Sequence, residues 1–133
     1  MRDNVESVID CLKNCSTDSD SYYRIRALEP TDPVERAARF LYLNATSFNG
    51  LYRVNKLGKY NVPYGQRSVS FNYDRLTDAS KKLSNADLSC HDFDSIRALL
   101  SPEDLVFLDP PYAVTKGDNG FLGYNPRFFS LED

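Results

Sequence analysis

Four apolar residues, Leu105-Val106-Phe107-Leu108, run into Asp109-Pro110-Pro111-Tyr112, and the last four carry groups suited to one kind of chemistry. A carboxylate and a proline carbonyl that no helix uses are two hydrogen-bond acceptors, and a phenol ring is a stacking surface. Together they fit a flat heterocycle bearing an exocyclic amine: the acceptors take the two amine hydrogens while Tyr112 stacks on the base. Two such bonds favour a more pyramidal nitrogen, whose lone pair leaves the ring system and can attack. Asp109 precedes a proline, as does Pro110, so both are driven out of the helical region. The plainer reading of these residues is a strand end at which Pro-Pro stops the strand and Tyr112 packs on it.

A second set of reactive or binding groups lies upstream. Between Glu35 and Asp74 there is no acidic residue, while Arg36, Arg39, Arg53, Lys56, Lys59 and Arg67 fall there. That stretch is +6 in a chain of net charge −3, leaving −9 elsewhere. Such segregation is the electrostatic footprint of a partner with a phosphate backbone. Amides (Asn44, Asn49, Asn55, Asn61, Gln66) and rings (Phe48, Tyr52, Tyr60, Tyr64) are interleaved with the cations. Arginine pairs best with guanine in the major groove, and Asn or Gln with adenine. The alternative is a solvated basic face on a loop ordered for folding alone.

Asp109-Pro110-Pro111-Tyr112 resembles the catalytic motif of amino-group DNA methyltransferases. Residues 40–44 (Phe-Leu-Tyr-Leu-Asn), 48–55 (Phe-Asn-Gly-Leu-Tyr-Arg-Val-Asn) and 58–65 (Gly-Lys-Tyr-Asn-Val-Pro-Tyr-Gly) are similar to the target-recognition region of the Dam-type, D12-class adenine-N6 enzymes. The resemblance runs from about Pro33 to Phe129, with both motifs in the family's order. It implies transfer of a methyl group from S-adenosylmethionine to N6 of adenine in double-stranded DNA, with GATC as the target, in a solitary or restriction-modification enzyme. It implies Asp109, Pro110, Pro111 and Tyr112 as catalytic residues, and Asp109, Asp92 and Phe93 as cofactor contacts. By motif match Phe48 or Asn49 enters the base stack beside the flipped adenine, and Arg53 reads guanine. Phe48 stands where relatives often have tyrosine, which keeps the ring. Leu51, Pro63 and Tyr64 flank the bases or shape the loop, and Asn55, Lys59, Asn61 and Arg67 complete the DNA-binding set. The family's F-x-G-x-G cofactor turn is absent from the sequence. The resemblance therefore implies a fragment, with a missing amino-terminal portion of the same enzyme as its partner.

The elements that must position these groups are legible as patterns. Val5, Val8, Ile9 and Leu12 repeat at helical spacing, predicting a helix over 4–14 whose work is packing. A short helix carrying Tyr22, Tyr23, Ile25 and Leu28 ends before Pro30, its tyrosines read as packing groups. Asp32-Pro33-Val34-Glu35 is a helix start, with Asp32 as cap, proline in the first turn and Glu35 closing a capping box. Val34, Ala37, Ala38, Leu41, Tyr42 and Ala45 mark the buried face of that helix, which Asn49-Gly50 ends. Residues 46–69 lack sustained periodicity and read as an ordered loop with a short hairpin. Leu76, Ala79 and Leu83 give a helix over 73–83. Residues 86–91 read as a strand, Phe93, Ile96, Leu99 and Leu100 as a helix, and 105–108 as a strand buried on both faces, hence a right-handed βαβ crossover. Asp92 and Phe93 serve equally as cofactor contacts or as a helix cap and staple. Residues 113–126 suit a flap over the base, and Ser130 caps a helix that the chain only begins.

The expected architecture is therefore α/β. A partial Rossmann-like methyltransferase fold, built on a parallel-sheet βαβ unit over 85–133, carries the catalytic motif. A mainly helical target-recognition subdomain over 1–84 carries the basic DNA-binding loop of 36–73. At 133 residues with 41% hydrophobic content, the chain supports one domain at most, with a modest core. Cys11, Cys15 and Cys90 lack metal-ligand spacing, and the lone His91 beside Cys90 does not supply it, so no metal is expected. No apolar run has the length of a membrane span and no signal peptide precedes the first helix, which makes the cytoplasm the default compartment. Two other readings stay open: a non-catalytic DNA-binding fragment of such an enzyme, and an enzyme using the same Pro-Pro-Tyr geometry on a glutamine amide or RNA. Relatives of the latter kind more often have Asn in place of Asp109.

Overall fold

In the computed structural model, residues 2–67 and 69–109 are described, and they divide into two units, Met1–Asn85 and Ala86–Asp133. Four helices build the first unit: α1 (Val5–Lys13), α2 (Ser19–Ala27), α3 (Pro33–Thr46) and α4 (Tyr73–Leu83). Each begins where the sequence offers a cap or a polar break. The Asp18 carboxylate accepts from the Ser21 N–H at 2.8 Å, and Asp32 from the N–H groups of Val34 and Glu35 at 2.9 and 3.0 Å. Asn72 accepts from the Arg75 N–H at 3.0 Å. These bonds satisfy donors that the first turn leaves without intrahelical partners.

Packing follows the stripes. Val8, Ile9 and Leu12 are the buried face of α1, which lies against α3 and α4, and α2 lies against α3. The core joins Val8 and Leu12 to Tyr22 and Ile25 of α2, Ala38, Tyr42 and Leu43 of α3, and two loop residues, Tyr60 and Val62. The loop is thus part of the hydrophobic core. Tyr22 and Tyr42 are wholly buried, yet neither hydroxyl is orphaned. Tyr22 donates to the Val62 carbonyl at 2.9 Å and Tyr42 to the Ser16 carbonyl at 2.7 Å. Burying a phenol costs little once its polar tip finds an acceptor. The Cys15 thiol donates to the Cys11 carbonyl at 3.2 Å, and burial pushes its pKa up. Cys90 is exposed.

Two expectations are corrected. Helix α3 stops at Thr46 rather than running to Asn49-Gly50, and Phe48–Gly50 forms a separate 3-10 turn. Thr46 and Ser47 are fully buried, and the chain there pairs with the returning arm of the loop: Ser47 bridges Tyr64, and the Gly65 N–H donates to the Thr46 carbonyl at 2.8 Å. A tertiary partner for the backbone replaces the next helical turn.

The second correction concerns fold class. No strand or sheet occurs among the described residues, so the α/β expectation, a parallel βαβ unit in a partial Rossmann-like fold, does not hold for them. Among the described residues neither 87–91 nor 105–108 is assigned to a strand, and the segment between them, Phe93–Leu99, is a 3-10 helix. Leu105, Phe107 and Leu108 are 98%, 87% and 67% exposed, the reverse of a strand buried on both faces. Such a strand is held by neighbours along both edges and layers on both faces. Among the described residues nothing supplies either. Pro110, Pro111 and Tyr112, the flap at 113–126 and the helix start at Ser130 lie outside the described residues.

Candidate nucleic-acid interface

The basic loop folds back on itself as a small antiparallel hairpin. Val54 bridges Tyr60, the Asn61 N–H donates to the Arg53 carbonyl at 3.1 Å, and the Asn55 N–H to the Lys59 carbonyl at 2.8 Å. Its turn needs Gly58, which adopts φ +75°, a left-handed conformation that costs glycine little. The Asn55 Oδ1 accepts from the N–H groups of Leu57 and Lys59 at 2.9 and 3.0 Å, closing the turn with its own side chain. Asn55 therefore shapes the tip.

Side chains alternate across the hairpin. One face looks to the protein: Tyr60 and Val62 are buried, and Tyr52 packs on Phe40 of α3 and on Tyr60 with ring centroids 5.6 and 5.5 Å apart. The Tyr60 hydroxyl donates to the Leu51 carbonyl at 2.6 Å, and Leu51 itself is partly buried against the core. Tyr64 is half-buried, its ring 5.3 Å from Tyr22 and its hydroxyl on the Thr17 carbonyl. The opposite face is exposed and carries Arg53, whose Nε–H donates to the Asn61 Oδ1 at 2.8 Å. Arg53 and Asn61 meet because the Val54–Tyr60 bridge and the Asn61 N–H to Arg53 carbonyl bond place them opposite each other.

At the other end of the loop, Asn49 and Gly50 adopt φ +54° and +64°. Both residues suit the left-handed region, and the turn leaves the Phe48 ring half exposed while the Phe48 N–H donates to the Pro63 carbonyl at 2.9 Å. Phe48, Asn49 and Pro63 are thus brought together on the exposed rim, whereas Leu51 and Tyr64 lie on the core side.

The cations of the loop divide in the same way. Arg39 donates to the carbonyls of Ile25 and Arg26 at 3.1 and 2.7 Å, and Arg67 to the Ala45 carbonyl at 3.0 Å. Each satisfies carbonyls at a helix end, where the backbone dipole also favours a positive charge. Lys59 pairs with Glu29 at 3.4 Å, an exposed contact of little energetic weight. Arg36 and Lys56 are exposed and make no ion pair among the described residues. An open groove of about 940 Å³ runs beside the hairpin, lined among others by Tyr23, Arg26, Arg36, Phe40 and Tyr52.

Sequence reasoning missed the residues that anchor the hairpin. The Val62 carbonyl accepts from the Tyr22 hydroxyl and from Arg26 Nη1 at 3.0 Å, so α2 clamps the loop. The sequence signal is the spacing of Tyr60, Val62 and Tyr64 at every second position. In the second unit, Asp92 accepts from the Asp94 N–H at 3.3 Å and begins the Phe93–Leu99 segment. Asp92 and Asp109 are both exposed. Among the described residues no group of three or more His, Cys, Asp or Glu converges as a metal site, and no helix is long and apolar enough to cross a membrane.

A family model described as D12 class N6 adenine-specific DNA methyltransferase matches residues 1–133. The type II methyltransferase M.MjaIII of Methanocaldococcus jannaschii is 37% identical over 119 residues, covering 84% of this chain and 41% of that protein. The type II methyltransferase M1.LlaDCHI of Lactococcus lactis subsp. cremoris is 34% identical over 145 residues, covering 100% of this chain and 51% of its own. The DNA adenine methylase of Escherichia coli K12 is 34% identical over 122 residues, covering 90% and 43%. The chain spans about half the length of these relatives, or less.

Proposed function

This chain belongs to the D12 class N6 adenine-specific DNA methyltransferase family, and from that premise we propose that it contributes DNA recognition and the base-holding group to methylation of adenine N6 in duplex DNA. The observation that carries the reading is the hairpin: a basic segment whose one face is built into the core and whose other face presents Arg53 and Asn61 to solvent. A rigid mount with an exposed arginine fork is what major-groove reading of guanine requires. Phe48 or Asn49, both on the exposed rim, takes the space beside the extruded adenine. GATC is the target carried over from the resemblance.

The chemistry belongs to Asp109, Pro110, Pro111 and Tyr112. Tyr112 stacks on the flipped base, and the Asp109 carboxylate with the Pro110 carbonyl accepts the two amine hydrogens. These bonds turn the nitrogen lone pair out of the ring plane. S-adenosylmethionine, the methyl donor that the family implies, supplies a methyl group already activated on a sulfonium. Neither a metal nor a strong base is then required, and orientation provides most of the acceleration. Asp92, Phe93 and Asp109 are the residues proposed toward the cofactor, and the carboxylates of Asp92 and Asp109 are exposed.

One observation favours a second reading, a non-catalytic DNA-binding fragment. The segment leading into Asp109 is exposed and unpaired among the described residues, so the chain by itself need not hold the catalytic motif in place. Methyl transfer from labelled S-adenosylmethionine to a GATC duplex, measured alongside duplex binding, separates the two. Incorporation supports the enzyme; binding without incorporation supports the fragment; absence of both sinks each. Where incorporation is seen, Asp109→Ala is expected to abolish it while sparing duplex affinity. Equal loss of both would remove Asp109 from its assigned role.

A further inference from the structure

Arg53 and Asn61 are both candidates for base contact, but the geometry gives them different work. We infer that Asn61 is a positioning residue, whose side-chain carbonyl fixes Arg53 so that the guanidinium reads guanine end-on through Nη1 and Nη2. The inference rests on the proposed role of Arg53 as the guanine reader.

An arginine can present a bidentate pair in two ways, from Nε with one terminal nitrogen or from the two terminal nitrogens. In this hairpin Nε–H is already committed to the Asn61 Oδ1 at 2.8 Å. The two terminal nitrogens remain for the O6 and N7 acceptors of guanine. The bond also settles the asparagine amide, because an N–H donor can pair only with its oxygen. Asn61 Oδ1 is thereby occupied, and an asparagine needs both its oxygen and its nitrogen to read adenine. Asn61 retains only its Nδ2 donors for any neighbouring acceptor.

The pair is also held from behind. The Asn61 N–H donates to the Arg53 carbonyl at 3.1 Å, and the neighbours Tyr60 and Val62 are buried in the core. Both side chains therefore start from a fixed base, and the fork is oriented before DNA arrives. Ordering a long side chain in advance spares that cost on binding, which corresponds to about 3- to 10-fold in affinity for the contact made.

The test uses the 133-residue chain and two GATC duplexes, one natural and one with 7-deazaguanine at the target guanine, which lacks the N7 acceptor. The ratio of the two dissociation constants, measured by fluorescence anisotropy, reports guanine reading separately from phosphate affinity. Arg53→Ala is expected to bring the ratio to unity. Asn61→Ala should lower it about 3- to 10-fold, Asn61→Asp, which keeps the acceptor, should preserve it, and Arg53→Ala with Asn61→Ala should match Arg53→Ala alone. Circular dichroism of each variant checks that the hairpin unit remains folded. An unchanged ratio in Asn61→Ala, with Arg53→Ala at unity, overturns the positioning role and leaves the reading of Arg53 standing. Equal losses in Asn61→Ala and Asn61→Asp overturn it also, since the Nδ2 donor would then be the group that matters. A ratio that Arg53→Ala does not change, or no duplex binding at all, removes the reading on which the inference stands.

Discussion

A buried phenol records its surroundings in its proton affinity. Tyr42 is pushed up to about 12, chiefly because burial disfavours the phenolate, and Tyr22 is raised for the same leading reason. The neutral ring is thus favoured in the folded state over an unfolded value of about 10. The stability this contributes is fully present below about pH 10 and is lost as pH rises through the folded value. Urea midpoints followed by circular dichroism should fall between about pH 10 and pH 12, and a flat profile across that window would contradict the burial of both rings. Gly65 makes a different demand. A Cβ there would lie 2.6 Å from the Ser47 carbonyl oxygen and 2.9 Å from that of Thr46, both backbone atoms that cannot swing aside. Gly65→Ala is expected to cost about 1–3 kcal/mol, read as a lower unfolding midpoint. A variant as stable as the wild type would mean that the α3 terminus and the loop are not in contact.

Helix α3 connects the core to the loop. Asp32 sets where it begins, and its two bonds to the first turn are worth about 0.5–2 kcal/mol by comparison with other caps. Asp32→Ala should lower stability by that amount without altering DNA preference, which chemical denaturation and the duplex binding ratio would check together. The beginnings of α3 and α4 and the stripe of α1 were legible because capping and helical periodicity are local: α1 was expected over 4–14 and is Val5–Lys13, and α4 was expected over 73–83 and is Tyr73–Leu83. The end of α3 was not legible. Asn49-Gly50 is a sound stop signal, yet Ser47 already turns away to pair with Tyr64, which lies 17 positions on. The parallel-sheet expectation failed for a related reason. An apolar run such as Leu105–Leu108 states that it can be buried, whereas a strand exists only where others pair with it.

For the molecule as a whole, the charge segregation read from composition maps onto the interface only in part. Arg36 and Lys56 are exposed without ion-pair partners among the described residues, while Arg39 and Arg67 are drawn to helix ends. Lys56→Gln is accordingly expected to weaken duplex binding alike for all sequences and to reduce the slope of log affinity against log salt by about 1. A slope that does not move would place Lys56 away from the phosphates. Residue types and order alone determined the family and its two motifs, because a motif is a statement of chemistry at fixed spacing. They also determined the helix starts, because a cap acts within three residues of itself. Only the tertiary structure decided that Tyr60 and Val62 belong to the core, that Asn61 faces Arg53, and that the apolar stretch before Asp109 has no sheet among the described residues. Each of those depends on a partner distant along the chain, and a one-dimensional pattern names the group without naming what it meets.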